Sequence, residues 1–225
     1  HHAIFRDAGI EGIAYRYLDS ETPTLDFAGV CEDLNNAPKG AAVLFHACAH
    51  NPTGLDPSRE HWDKILELLR KKNHISFFDC AYQGFASGDH NLDSYPIRKS
   101  YENNQNIIVA QSFSKNFGLY GERVGTLSIV TDSVEEKEAV LSNLKSIIRP
   151  MYSNPPINGA KIVTTILENE ELYKEWQEEC KSMADRIQEM RILLQSKLEE
   201  LEYYKNNNYN DHHRYRPWDH ITKQI

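Results

Sequence analysis

The chain has 225 residues and a formal net charge of −8, room for one large domain or parts of two. Its only basic block is Arg70-Lys71-Lys72, which argues against nucleic acid as the main partner. No apolar run approaches the roughly eighteen residues that span a bilayer, and no signal-peptide pattern is present.

The chain starts at His1 without a methionine and stops at Ile225 in mid-pattern, so it reads as an internal fragment. Cys31, Cys48, Cys80 and Cys180 show no C-x-x-C spacing. Three of them adjoin apolar runs, so buried free thiols in a reducing compartment are expected.

Gly12 to Leu18 alternates as a strand does, and Phe27 to Leu34 has helical spacing. Ala41-Ala42-Val43-Leu44-Phe45 is a buried strand that runs into a turn at Asn51-Pro52-Thr53-Gly54. Within that approach, His46, Cys48 and His50 would share one face of a strand and could suit zinc, but no fourth ligand has suitable local spacing. Pro57 to Lys72 is an amphipathic helix whose apolar face is Trp62, Ile65, Leu66 and Leu69. Ile75-Ser76-Phe77-Phe78 is another buried strand, and it ends in Asp79 with Tyr82 three residues on. An acid at the end of an apolar strand is costly unless paired; the plain alternative for Asp79 is a helix N-cap.

Leu92 to Tyr101 is helical, and Ile107-Ile108-Val109-Ala110 is a third buried strand. It leads directly into Gln111-Ser112-Phe113-Ser114-Lys115-Asn116-Phe117-Gly118-Leu119-Tyr120-Gly121-Glu122-Arg123-Val124-Gly125. Strands of this kind end at the rim of an α/β sheet, where ligands bind. A lysine out of water among cations becomes a nucleophile. The Ser112 hydroxyl and the Arg123 guanidinium are what a phosphate dianion needs. Together they suggest a pyridoxal-phosphate Schiff base on Lys115, against the plainer reading of an exposed surface loop.

Thr126 to Val130 is the next strand. Strands and helices alternate from 41 to 130, which predicts a parallel sheet with helices on both faces. A dinucleotide-binding fold is the rival, but no G-x-G-x-x-G follows any strand. Ser133 to Ile148 is helical and gives way to Arg149-Pro150-Met151-Tyr152-Ser153-Asn154-Pro155-Pro156, where three prolines predict an irregular, stiff segment, on the plain reading a linker. Leu172, Trp176, Cys180, Met183, Ile187, Met190, Leu194, Leu198 and Leu201 then mark one core-facing helix of about thirty residues. The stretch 205–216, rich in asparagine, reads as a disordered surface insertion.

The segment Ser112 to Gly125 resembles the cofactor-lysine segment of the aspartate aminotransferase family, in class I of the pyridoxal-phosphate-dependent aminotransferases. Separated motifs support the resemblance in the expected order: Ile4-Phe5-Arg6-Asp7-Ala8-Gly9, Asn51-Pro52-Thr53-Gly54, Asp79-Cys80-Ala81-Tyr82 and Trp218-Asp219-His220-Ile221-Thr222-Lys223-Gln224-Ile225. It implies a fold-type I PLP-dependent transferase, α/β, with a mostly parallel sheet flanked by helices. Residues 1–169 would belong to the large cofactor-binding domain, 170–202 to a long interdomain helix, and 203–225 to the start of a small domain.

The resemblance also implies roles. Lys115 would carry pyridoxal 5'-phosphate and move the substrate proton. Ser112 and Arg123 would hold the phosphate, Asp79 the pyridine nitrogen, and Tyr82 and Asn51 the phenolic oxygen, with Asn51 also reaching substrate. His1 would bond Asp79 from behind. Arg149 would bind a second substrate carboxylate across a homodimer interface, and no metal would be needed. The implied reaction transfers an amino group between L-aspartate and 2-oxoglutarate, in the cytoplasm or mitochondrion, without nucleic-acid or membrane partners. The ring-stacking aromatic, the upstream phosphate turn, the partner-subunit tyrosine and the α-carboxylate arginine are missing from these residues, so the fragment alone is expected to be inactive. An aromatic or broad-specificity aminotransferase and a non-catalytic cofactor-binding relic are the alternatives.

Overall fold

The computed structural model describes residues 1–200. The expectations for the 205–216 insertion and for 203–225 lie outside the described residues. The elements are α1 (His2–Asp7), α2 (Phe27–Asn36), β1 (Ala42–His46), α3 (Arg59–Lys72), β2 (Ile75–Cys80), α4 (His90–Asp93), α5 (Tyr95–Glu102), β3 (Ile107–Ser112), β4 (Gly125–Ile129), α6 (Val134–Tyr152), α7 (Asn158–Glu168) and α8 (Glu170–Glu200).

The four strands form one sheet in the order β1-β2-β3-β4. β1, β2 and β3 are parallel, and their register sets His46 beside Asp79 and Asp79 beside Ala110. β4 is antiparallel to β3, pairing Ser112 with Gly125, so the sheet is mostly rather than wholly parallel. The physical reason lies in the connection. Residues 113–124 hold turns but no crossover helix, and a parallel return needs one. The tight pairing requires Gly125 itself, because a Cβ there would lie 2.4 Å from the Gln111 carbonyl oxygen.

The core sits between β1–β3 and α3. Ser58 caps α3 by accepting from the His61 N–H, and Arg70, Lys71 and Lys72 occupy its last turn, where cations suit the helix dipole. Trp62, Ile65, Leu66 and Leu69 are buried, as the spacing predicts. The Trp62 ring meets Phe45 edge-on at 5.5 Å and Phe78 at 6.1 Å. Burial of Phe78 alone contributes on the order of 2–3 kcal/mol.

Several expectations are corrected. Residues 12–18 form no ladder; an isolated bridge joins Leu18 to Leu25. The alternation there comes from Tyr15 and Tyr17, whose hydroxyls donate to the Leu44 and Leu55 carbonyls while Arg16 pairs outward with Asp33. The helix expected over 92–101 is two helices broken at Ser94, because Pro96 has no N–H to give a preceding turn and instead opens α5. The helix before Arg149 does not stop there; α6 carries Pro150 inside it and ends at Ser153, φ 65°. Pro150 has no N–H to give the preceding turn, so α6 carries it without that one bond. α7 occupies a stretch with no expectation attached.

α8 runs 31 residues as one helix, about 46 Å. Its stripe is core-facing only around Cys180 and Ala184, both 0% exposed. Met183, Ile187, Met190 and Leu194 are exposed, because the loops that α8 packs on are met through Trp176, Cys180 and Ala184. No helix among the described residues is long and apolar enough to cross a membrane.

Candidate active site

The carboxyl ends of β1, β2 and β3 lie side by side, and each delivers polar groups to the same rim. Asp79 is the penultimate residue of β2, on the opposite face from the buried Ser76, Phe78 and Cys80. It is a strand residue and not a helix cap. Its Oδ2 lies 2.9 Å from His1 Nε2, so the acid has the partner that its position demands.

β3 ends at Ser112, and residues 114–117 turn sharply. The Ser112 hydroxyl accepts from the Ser114 N–H at 3.2 Å, which shapes the start of that turn. Lys115 is half-buried, and its Nζ lies 5.2 Å from the centre of the Tyr82 ring. A cation over a phenol face is an attractive placement. Arg123 is exposed, sits in the left-handed region at φ 51°, and donates to the Tyr120 carbonyl at 3.0 Å.

Asn51 follows β1 in an exposed turn, with its N–H donating to His46 Nδ1 at 2.9 Å. His46 therefore carries any neutral-state proton on Nε2. Burial holds the His46 pKa below its ordinary value, against the pull of Asp79. Burial, then the neighbouring His46, pushes His50 down to about 4. The strand geometry that a His46-Cys48-His50 zinc face needs is absent, because β1 ends at His46 and Ala49 turns the chain at φ 50°. Among the described residues, ligand atoms of His1, His46 and Asp79 lie within 4.8 Å of one another, but the His1 and His46 nitrogens described above are engaged in hydrogen bonds.

Arg149 stands apart from this group. It lies in the last turn of α6, exposed, and donates to the Ser153 hydroxyl at 2.6 Å. So the structure brings His1 to Asp79 and Lys115 to Tyr82 at adjoining strand ends, keeps Ser112 as the last residue of β3, leaves Asn51 and Arg123 on the flanking turns, and gives Arg149 a local partner.

Sequence reasoning missed His46 as a neighbour of Asp79, and it missed Gln83 and Asn116. Gln83 accepts from Gln111 Nε2 at 2.7 Å, and its carbonyl accepts from Asn116 Nδ2 at 3.2 Å. The apolar flank of Asn116 was visible in the sequence; its partners, 33 and 60 residues away, were not.

A half-buried lysine on a tight turn at the strand rim, with a paired acid one strand over, sets an amine and a carboxylate where open α/β sheets bind their ligands. The model for aminotransferase class I and II matches residues 1–224, and the chain belongs to that family, whose members depend on pyridoxal phosphate. It is 48% identical over its whole length to the mitochondrial aspartate aminotransferase of Gallus gallus, covering 51% of that protein. It matches the cytoplasmic aspartate aminotransferase of Saccharomyces cerevisiae with a TM-score of 0.89 and 42% identity, over 100% of this chain and 53% of that one. An aromatic-amino-acid aminotransferase from Burkholderia pseudomallei, covalently bound to pyridoxal phosphate, matches with a TM-score of 0.85 and 44% identity, over 89% of this chain and 50% of that one. The chain thus spans about half the length of the curated relatives it matches.

The donor set fits the cofactor. A substituted pyridine aldehyde with a phosphate asks for an amine, an acid for the ring nitrogen, a phenol or amide for the ring oxygen, and a hydroxyl with a guanidinium. Lys115, Asp79, Tyr82, Asn51, Ser112 and Arg123 could supply those groups: Asp79 and Ser112 lie at the ends of β2 and β3, Tyr82, Lys115 and Asn51 follow β2, β3 and β1, and Arg123 lies just before β4.

Proposed function

We propose that this chain is the cofactor-binding part of an aspartate aminotransferase, which moves an amino group reversibly between L-aspartate and 2-oxoglutarate to give oxaloacetate and L-glutamate. The observation that carries the reading is the Lys115 Nζ poised 5.2 Å over the Tyr82 ring, one strand from the Asp79–His1 pair. When bound, pyridoxal phosphate supplies the electron-withdrawing ring that such chemistry requires.

The residues divide the remaining work. Lys115 would hold the cofactor through its Nζ, and the same amine would move the proton at the substrate Cα. The Asp79 carboxylate keeps a proton on the ring nitrogen, and His1 orients that carboxylate from the far side. Tyr82 and Asn51 donate to the ring oxygen, and Asn51 also meets substrate. Ser112 and Arg123 bind the phosphate through hydroxyl and guanidinium. Arg149 serves a neighbouring subunit's substrate in a homodimer. An intracellular location, cytoplasmic or mitochondrial, accords with the relatives' names.

The likeness to an aromatic-amino-acid aminotransferase favours one second reading, a shift of preference toward aromatic substrates on the same machinery. Amino-acceptor assays at the protein's full natural length separate the two. Oxaloacetate should be favoured over phenylpyruvate by a large margin. Equal or better use of phenylpyruvate would replace the aspartate assignment with the aromatic one.

A further inference from the structure

We propose that Trp176 and Cys180, far from the strand rim in sequence, are positioning residues that hold the Lys115 turn through one acceptor, the main-chain oxygen of Asn116. The proposal rests on the reading of Lys115 as the cofactor lysine.

The two donors lie one turn apart on α8 and converge on that oxygen, Trp176 Nε1 at 2.8 Å and Cys180 Sγ at 3.3 Å. Cys180 is 0% exposed and Asn116 is 2% exposed, so water does not compete for these bonds and their strength is not diluted. Burial pushes the Cys180 thiol up to about 11, which keeps it a donor at neutral pH.

The indole is also clamped as a plate. Phe117 stacks on it at 4.4 Å and His90 at 4.3 Å, with interplanar angles of 22° and 24°. Trp176 therefore fixes both the backbone of Asn116 and the side chain of Phe117, the two residues that follow Lys115. The Asn116 side chain extends the tie, since its Nδ2 donates to the Gln83 carbonyl at 3.2 Å. Gln83 is the residue after Tyr82. One helix thus sets the lysine turn and the tyrosine loop against each other, and with them the Lys115–Tyr82 distance. A shift of α8 along its axis would be felt at Lys115 as a change of angle, with no contact between the helix and the reacting atoms.

The test uses the cofactor-loaded protein at full natural length. Trp176→Phe keeps a flat ring between Phe117 and His90 and removes the N–H. Cys180→Ala removes the second donor, and Cys180→Ser returns a hydroxyl donor. The Trp176→Phe/Cys180→Ala double variant should lose about tenfold in kcat, with KM changed by less than about twofold. The pH midpoint of the cofactor's absorbance change should move by about half a unit or more. Amide exchange over residues 114–117 should speed up by about tenfold. Trp176→Phe/Cys180→Ser should recover most of each effect. A folded double variant with wild-type kcat, midpoint and exchange overturns the proposal, as does a loss of kcat that only tracks loss of folded protein. If the wild-type protein never links cofactor to Lys115, the functional reading fails instead, and the exchange rates still decide whether α8 holds the turn.

Discussion

The Lys115 Nζ and the Tyr82 ring meet at 5.2 Å although they come from loops after different strands. β2 and β3 are adjacent and parallel, so their carboxyl ends open side by side and any groups set just past them converge. The site is a consequence of strand order more than of the loops.

Asp79 should be indispensable to proton abstraction and dispensable to folding. Asp79→Asn keeps the shape and a contact with His1 but cannot keep a proton on the ring nitrogen. Single-turnover proton abstraction should slow by several orders of magnitude, with the melting temperature within a few degrees of wild type. A normal single-turnover rate would leave Asp79 as a structural partner of His1 only.

Arg149 is expected to act on a neighbouring subunit, although within this chain it only meets Ser153 near the helix end. A guanidinium clamps a carboxylate through two parallel bonds. Full-length Lys115→Ala and Arg149→Ala should each be nearly inactive toward aspartate. Mixing them under subunit exchange should restore activity, because one site of the hybrid has both groups intact. Confirmed exchange with no return of activity assigns Arg149 to capping α6.

Acid should destabilise the fold through His50. Its ring stacks on Tyr17 at 3.9 Å and its Nδ1 lies 2.8 Å from the Thr53 hydroxyl. Burial lowers its pKa from 6.5 to about 4. Between those values the unfolded chain binds a proton that the folded chain does not, so stability present above pH 6.5 is lost as pH falls toward 4. His46, also held down by burial, acts in the same direction. Asp56, raised by burial, opposes them, so the informative quantity is a difference. Between pH of about 7.5 and about 4.5, His50→Gln should lose several degrees less in melting temperature than wild type. Equal losses would place the acid sensitivity elsewhere.

Much of this was legible in the residues. β-branched and aromatic runs marked β1, β2 and β3, and the i, i+3, i+4 spacing of Trp62, Ile65, Leu66 and Leu69 marked α3 and its buried face. Asp79 stood out because it directly follows an apolar run, and Ser112, Lys115 and Arg123 because they share the polar, glycine-bearing segment that the run Ile107–Ala110 leads into. What local pattern could not carry was direction and distance. The antiparallel β4 followed from the missing crossover helix between 112 and 125. The extended stretch around Tyr15 and Tyr17 imitates a strand because two tyrosines at i and i+2 face the same core. Pro150 suggested a helix end, yet α6 runs past it to Tyr152. The Trp176–Asn116 bond joins residues 60 apart, and nothing local to either announces the other.

The most direct test of the central claim is to load the full-length protein with pyridoxal phosphate, reduce it with borohydride, digest it and locate the modified residue by mass spectrometry. The label should fall on Lys115 in near-stoichiometric yield, and the visible absorbance should disappear on reduction. Lys115→Ala should take up no label and lose turnover. A label on another lysine, or wild-type rates from Lys115→Ala, would contradict the account.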